Sequence, residues 1–591
     1  MDQSACTVLT RCIEQYPDAG MLREQLQHSQ QPADLIPLYD QLIPVIESAM
    51  WASGLAPAAV ADYHALCTEM ESLLAQGKDT RHTLTIVVPV ADRPRHLRSC
   101  LQSLAGAVQA FGSNRDKLVV VIADDSVAAS SIQAHRTLAS ELQGQGINTL
   151  YFGLKEQQAE LARLPDQDRQ AIQHIISLTQ PDDFAHKGAS TTRNITYLRL
   201  HRLAQQDPHA LFMFVDSDQE FHANTGAGEH VYTTNYYYHI DRLFSQAPIE
   251  VLTGKVVGDP PVSPAVMAAT LLDDTLALYR ELATLDPAAS CSFHGGETSA
   301  TDAAYHDMAQ LFGFSATTGT HRYPCPLQGP HDHAACLSHF ATRLQHFFDG
   351  EHPTRRTPYQ HEDVQASCTP ARTVYTGNYV LTPAALRYFI PFASLQLRMA
   401  GPVLGRLVQA ASGDAFVSAN LPLLHQRTEG ESGQSEFRPG IDRAGSQADL
   451  SGEFERQYFG DVMLFTVIEL VKHGYPENTP TIDQLQQTLA STDTRLRAQY
   501  AATRERVMAG LTELESVLAD TGAWWQTAEY KDSRERLAGF VANLRVNFDA
   551  AAPAWQQITD KAHHARRSAA IVAALASYRT DCAHWARVLQ A

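Results

Sequence analysis

The stretch Leu211-Phe-Met-Phe-Val-Asp-Ser-Asp218 constrains this chain more than any other. An unbroken apolar run of this length reads as a strand buried on both faces. It ends in two carboxylates one residue apart. Side chains alternate along a strand, so Asp216 and Asp218 point the same way. Two hard oxygen donors aimed at one point suit a Mg2+ or Mn2+ ion carrying a diphosphate. The same residues would also serve as a solvated turn, because Asp and Ser are common turn formers. The surrounding sequence has to decide between the two readings.

The texture of the chain changes three times. Residues 1–80 carry apolar side chains at three- and four-residue spacing (Leu35, Leu38, Leu42, Val45, Ile46), which predicts a helical segment. From Leu84 short β-branched runs alternate with amphipathic stretches. Strands are expected at Leu84–Val90, Lys117–Asp125, Asn148–Gly153 and Ala210–Asp216, and helices at Arg95–Phe111 and Thr191–Gln205. Strands alternating with helices predict βαβ units and a mainly parallel sheet over residues 81–430. Within it, residues 259–370 are rich in His, Asp, Pro and Gly and read as loops and short helices, an insertion or acceptor region. Glu429–Gly445 is Gly- and Ser-rich and reads as a mobile loop. Residues 450–591 are helical again. The whole is an α/β chain with a Rossmann-like sheet flanked by N- and C-terminal helical segments.

The bulk numbers exclude several classes. A chain of 591 residues suggests about three or four domains. Its formal net charge of −19 and lack of any basic run argue against a nucleic-acid partner. Nine scattered Cys without a Cys-x-x-Cys fit free thiols in a reducing compartment. The N-terminus lacks the basic-then-apolar order of a signal peptide, and no apolar run reaches the roughly 18–20 residues of a membrane helix. A cytoplasmic protein without a transmembrane anchor is expected.

Ligands of open α/β sheets sit at the carboxyl ends of the strands. Those ends read Pro89-Val-Ala-Asp-Arg-Pro, Asp124-Asp-Ser and Asp216-Ser-Asp, with His186-Lys-Gly-Ala-Ser-Thr-Thr-Arg-Asn194 opening a helix between the last two. Over residues 82–225 this order resembles the nucleotide-sugar glycosyltransferases of the GT-A fold, family 2. More loosely, Thr376-Gly-Asn-Tyr-Val-Leu-Thr-Pro resembles their acceptor-side strand, and Leu421-Pro-Leu-Leu-His425 a later strand whose His joins the metal. The resemblance implies a UDP- or GDP-sugar donor, a hydroxyl acceptor and Mn2+ or Mg2+. It places Pro89, Val90, Arg93, Asp124, Asp125, Lys187, Arg193, Asp216 and Ser217 on the donor, and Asp216, Asp218 and His425 on the metal. Asn378, Tyr379 and Arg355 (or Arg356) are the acceptor-side candidates. Family 2 members carry a Glu-Asp pair after the acceptor helix, but the equivalent stretch here, Leu397–Arg406, has no acid. Either the base comes from elsewhere, with Glu351, Glu362 and Asp363 the nearest acidic candidates in sequence, or the transfer is retaining.

Other readings stay open. A sugar nucleotidyltransferase of related fold would need a Gly-rich phosphate loop after the first strand, which Pro89-Val-Ala-Asp-Arg-Pro is not. A non-catalytic GT-A-like scaffold would explain the missing Glu-Asp pair. Cys325, His331, His333, Cys336 and His339 lie close enough in sequence for zinc, although their spacing fits no standard finger; a polar cleft or helix caps would account for them equally. Trp524, Trp525, Trp555 and Trp585 read as core residues of a helical bundle, with a sugar-stacking pair as the alternative. The helical segments are candidates for self-association.

Overall fold

A computed structural model describes residues 6–28, 32–176, 184–223, 231–293, 322–428, 436–445 and 447–590. Its centre is a nine-stranded sheet in the order β3-β2-β1-β4-β8-β6-β9-β5, with β7 pairing on β9. The strands are β1 (Thr83–Val90), β2 (Leu118–Asp124), β3 (Asn148–Phe152), β4 (Ala210–Val215), β5 (Gln219–Glu220), β6 (Val251–Gly258), β7 (Thr369–Pro370), β8 (Asn378–Leu381) and β9 (Phe416–His425). β1 pairs in parallel with β2 and β4, β2 with β3, and β6 with β9. β8 runs antiparallel between β4 and β6. Six of the nine strands therefore point one way, and the sheet is mostly parallel.

Period-two alternation splits each central strand between two cores. Leu84, Ile86, Val88 and Val90 of β1 join Leu211, Met213 and Val215 of β4 on one face, under the helices Pro94–Phe111, Ala129–Gly144 and Tyr236–Gln246. Phe212 and Phe214 face the other way, into an apolar cluster that runs on through Leu496, Leu511 and Trp585 of the C-terminal helices. With no solvated face, neither strand shows polar alternation, which is why the apolar run is continuous. The N-terminal helices meet the sheet layer through Phe111 and Tyr238. Trp525 and Trp585 are fully buried, and the indole N–H groups of Trp524 and Trp585 donate to Leu282 O and Leu386 O, each at 2.8 Å. These tryptophans are packing residues.

The described parts of 259–370 hold more helix than the composition suggests. Pro264–Leu282 is a 19-residue helix, and His333–Leu344 is another of 12. The first is buried along most of its length, so its apolar residues form no single stripe, and the His, Pro and Gly around it mask its pattern. β6 was likewise absent from the sequence expectation. Residues 294–321 and 429–435, parts of the two expected loops, lie outside the described residues. Among the described residues no helix is long and apolar enough to cross a membrane.

One buried amide positions the helix Ala189–Gln206, which reaches the carboxyl edge of the sheet. Asn194 Nδ2 donates to Ile175 O (3.0 Å) and Ile390 O (2.9 Å), while its Oδ1 accepts from Ile390 N (2.8 Å). Replacing it with Leu strands three buried backbone groups, each costing about 1–3 kcal/mol unpaired. Asn194→Leu is expected to lower the urea midpoint clearly at an unchanged slope, and a midpoint equal to that of the native chain would refute this anchor role.

Candidate functional site

Parallel pairing brings the carboxyl ends of β1, β2, β4, β6 and β9 to one edge of the sheet. A cavity of about 380 Å³ opens there. Pro89, Val90, Arg93, Asp125, Lys187, Arg193, Asp216, Ser217, Asp218 and His425 all line it.

Asp218 is its buried centre. The antiparallel pairing of β5 on β9 sets Gln219 opposite His425, and Gln426 N donates to Asp218 O at 2.9 Å. Arg93 Nη1 donates to Asp218 Oδ2 at 3.0 Å, and His425 Nε2 and Arg427 Nη1 each lie 3.6 Å from the same oxygen. Burial opposes the charge on Asp218, but His425, Arg93 and Arg427 together hold its carboxyl well below the usual carboxylate range. His425 Nδ1 donates to Asp259 O at 2.8 Å, which fixes the tautomer and leaves Nε2 as the face toward Asp218.

Asp216 takes a different partner. It is half-exposed and pairs with Arg193, so its carboxylate turns from Asp218 toward the helix Ala189–Gln206. Gly377 presses on it, and a Cβ there would sit 2.8 Å from Asp216 Oδ2. Asp125 forms a buried pair with Lys187 (2.5 Å) and accepts from Gly188 N (3.1 Å). Burial outweighs the pairing on both partners, raising the Asp125 carboxyl and lowering the Lys187 ammonium. At the rim, Asp92 (φ 51°) and His186 (φ 52°) both adopt left-handed backbone and bond to each other at 2.6 Å. The His186 ring stacks on Phe437, with centroids 4.3 Å apart.

Sequence reasoning missed the far wall. Arg398, Arg427, Phe437, Arg438, Glu453 and Arg456 line the cavity from segments outside the strand ends. Burial, followed by repulsion from Arg427 and Arg93, pushes Arg438 well below the usual arginine range. Arg427 Nε and Arg438 Nη1, packed against the backbone of Gly350, and Arg193 Nε have no hydrogen-bond partner among the described residues. Glu453 is held through Oε1 by Arg398 at 2.8 Å, and its buried Oε2 has no partner among the described residues. Glu453 thus stands on the helix Ser451–Lys472, some fifty residues beyond the acid-free stretch 397–406, and pairs with Arg398 of that stretch. No sequence signal marks Glu453, one of many acids on helical surfaces.

Several expected residues stand elsewhere. Asp124 is spent inside the sheet on His135 Nδ1 (2.9 Å), Tyr151 OH (2.8 Å) and Ser126 N (2.9 Å). Glu351 lies off the cavity, bonded to Arg343 and Thr428, and burial pushes its carboxyl up to about 8. Glu362 is 60% exposed and lies 3.6 Å from Lys255. Asp363 accepts from Ala366 N in a turn. Arg355 is bound to the buried Asp274 at 2.8 and 3.0 Å. Asn378 spends its amide on Lys255 O and Leu421 O, and the Tyr379 hydroxyl bonds that of Tyr197 at 2.8 Å. None of these seven lines the cavity.

The donor set fits a divalent ion in one way. Asp218 Oδ2 and His425 Nε2 lie 3.6 Å apart, and hard ions of this kind accept one or two protein ligands when phosphate oxygens complete the shell; an ion bound there would take the imidazole in its neutral form and displace Arg93 from Asp218 Oδ2. Asp216 is not a third ligand as it stands, because Arg193 holds it.

No protein-family model matches this chain, and no curated protein matches it. Among solved structures it is similar to a mannosyltransferase, PcManGT from Pyrobaculum calidifontis, in complex with GDP-Man and Mn2+. The identity is 9% and the TM-score 0.32, over 86% of this chain and 100% of that one. A superposition this loose transfers neither ligand nor activity.

The segment 436–439 is locked over the cavity by Glu436, whose carboxylate accepts from Arg95 N (3.0 Å), His96 N (3.1 Å) and His96 Nδ1 (2.8 Å) at the start of the helix Pro94–Phe111. Although burial opposes it, these donors lower its carboxyl to about 2. A depressed folded pKa contributes stability above the unfolded value of about 4.3, and this is lost as pH falls toward the folded one. Glu436→Gln is expected to lower the melting temperature at neutral pH, with the deficit narrowing as acid is added below about pH 4.3. Thermal melts across a pH series check this, and a deficit independent of pH would contradict it.

Proposed function

We propose that this chain is a glycosyltransferase of the GT-A type, moving a sugar from a UDP- or GDP-linked donor to a hydroxyl acceptor with a divalent ion bound at Asp218 and His425. One observation carries the reading. In a chain of net charge −19, seven Arg and Lys side chains against four carboxylates converge on a single cavity around the buried Asp218–His425 pair. Such a cavity is electrostatically complementary to a diphosphate.

The residues divide by position. Arg93, Lys187, Arg193, Arg427 and Arg438 hold phosphate oxygens and stabilise negative charge as the anomeric bond breaks. A bound Mn2+ or Mg2+ adds Lewis-acid stabilisation of the same leaving group. Asp125 and Ser217 accept from and donate to the nucleoside, and the His186–Phe437 stack offers it an aromatic face. Glu453, with one oxygen uncommitted, is the acceptor-side base in place of Glu351, Glu362 and Asp363, which face elsewhere.

A second reading rests on Arg93. Its guanidinium already lies 3.0 Å from Asp218 Oδ2, so fixed cations alone could neutralise the diphosphate and the chemistry would be ion-independent. Titration calorimetry of UDP and GDP with and without Mn2+ separates the two. Binding strengthened by Mn2+ supports the ion-dependent enzyme, binding indifferent to Mn2+ or EDTA supports the second reading, and no nucleotide binding refutes both.

Two variants test the roles. Asp218→Asn is expected to cut Mn2+-dependent donor turnover by about 10²-fold or more, and also to lower the melting temperature because Arg93 and Arg427 lose their buried partner, so turnover is compared well below the variant's melting transition. Glu453→Gln is expected to lower kcat by roughly 10²–10⁴-fold while UDP or GDP affinity stays put. Full turnover by either variant, in a panel of sugar nucleotides, removes that residue from the mechanism.

A further inference from the structure

We propose that Cys291, Cys325, His331 and Cys336 form a structural zinc site, separate from the cleft, that clamps residues 289–293 onto 325–336. Their ligand atoms all lie within 4.8 Å of one another, and no other group of His, Cys, Asp and Glu among the described residues converges in this way. Cys336 Sγ lies 3.1 Å from Cys291 Sγ and 3.3 Å from Cys325 Sγ, and His331 Nε2 lies 3.2 Å from Cys325 Sγ. None of the four lines the cavity.

The donor set is that of a closed tetrahedral zinc site. Zn–S of about 2.3 Å and Zn–N of about 2.0–2.1 Å spread the ligands to roughly 3.5–3.8 Å, about 0.3–0.7 Å beyond the three contacts just given. The sulfur separations far exceed the 2.05 Å or so of a disulfide. Three kinds of support surround the ligands. His331 Nδ1 bonds Gly329 O at 2.8 Å, which turns Nε2 toward the sulfurs as the metal-binding nitrogen. Backbone amides two residues on point at two of the sulfurs, Phe293 N at Cys291 Sγ (3.3 Å) and Leu327 N at Cys325, and such donors favour thiolate over thiol. Cys336 lies in the first turn of the helix Asp332 caps, where the helix dipole also favours thiolate.

Burial without an ion works against this, raising the thiols of Cys325 and Cys336. A divalent ion reverses the balance: each thiol releases its proton to solvent as its sulfur bonds the metal. The backbone is already in place, because Ser290 bridges to Asp332 and Cys291 N donates to His331 O at 3.0 Å. His333 and His339, the other histidines of the sequence cluster, are engaged elsewhere. His333 bonds Asp286 O (2.9 Å) and Ser292 Oγ (3.1 Å), and His339 bonds the Tyr323 hydroxyl (2.5 Å).

Elemental analysis of the full chain, purified without chelator or added metal, is expected to give about one zinc per chain. Cobalt exchanged into the native protein should show thiolate-to-cobalt charge-transfer bands and the intense red-region bands of tetrahedral coordination. Cys336→Ser should abolish the bound metal. His331→Cys should keep it, with stronger charge transfer, and native-like near-ultraviolet circular dichroism of Cys336→Ser separates loss of the ion from failure to fold. Asp218→Asn, His333→Ala and His339→Ala should keep the zinc. Absence of zinc together with a cobalt spectrum lacking thiolate bands, or a disulfide joining two of the three cysteines in the native protein, would overturn the site.

Discussion

The buried carboxylate of Asp218 is the constraint from which the rest of the cavity follows. A charge in that position is tolerable only if paired, and its partners come from three directions: Arg93 after β1, His425 at the end of β9, and Arg427 beyond it. Each partner is itself tied down. Arg93 Nε bonds Phe437 O, His425 bonds Asp259 O, and Arg427 N bonds Asp259 Oδ2. One acid thus determines how the loop after β1, the turn between β4 and β5, and the segment leaving β9 meet.

Charge is distributed unevenly for a reason. The chain as a whole is acidic, yet the cleft collects guanidinium groups, and burial followed by repulsion from Arg427 and Arg93 holds Arg438 below the usual arginine range. Repulsion among buried cations costs stability, and folded proteins retain such costs where an anionic ligand relieves them. Gly350 belongs to the same arrangement. With φ at 99°, and with Arg438 Nη1 only 2.8 Å from where a Cβ would stand, it lets the backbone pass between two guanidinium groups.

Much of the fold was legible because burial writes itself into local pattern. The edges of β1, β2, β3 and β4 fall within a residue or so of the expected ones, since apolar β-branched runs end where solvent or ligand begins. Pro264–Leu282 was not legible, because a helix buried on most sides has no polar stripe to betray its period. The site was partly legible. Arg93, Asp125, Lys187, Arg193, Asp216, Asp218 and His425 sit on strand ends and a helix start, and they do line one cavity. Asp124 shows the limit: adjacent strand residues face opposite sides, so of the acidic pair one side chain enters the cleft and the other is consumed by His135 and Tyr151. Of the four residues proposed for zinc, Cys325, His331 and Cys336 were visible as neighbours in sequence, but Cys291, more than thirty residues upstream, was not.

The sequence by itself determined the alternation of strands and helices, the burial of the central strands and the acidic strand tip at 216–218. These follow from side-chain period and chain stiffness, which act over a few residues. Only the tertiary structure decided that Glu453 and Arg456, from a helix beyond the sheet, would close the cavity, that Asp216 would turn to Arg193, and that Glu351 would be spent on Arg343. Those outcomes depend on which distant charges become neighbours once water is removed, and pairing energies between remote groups leave no trace in local sequence.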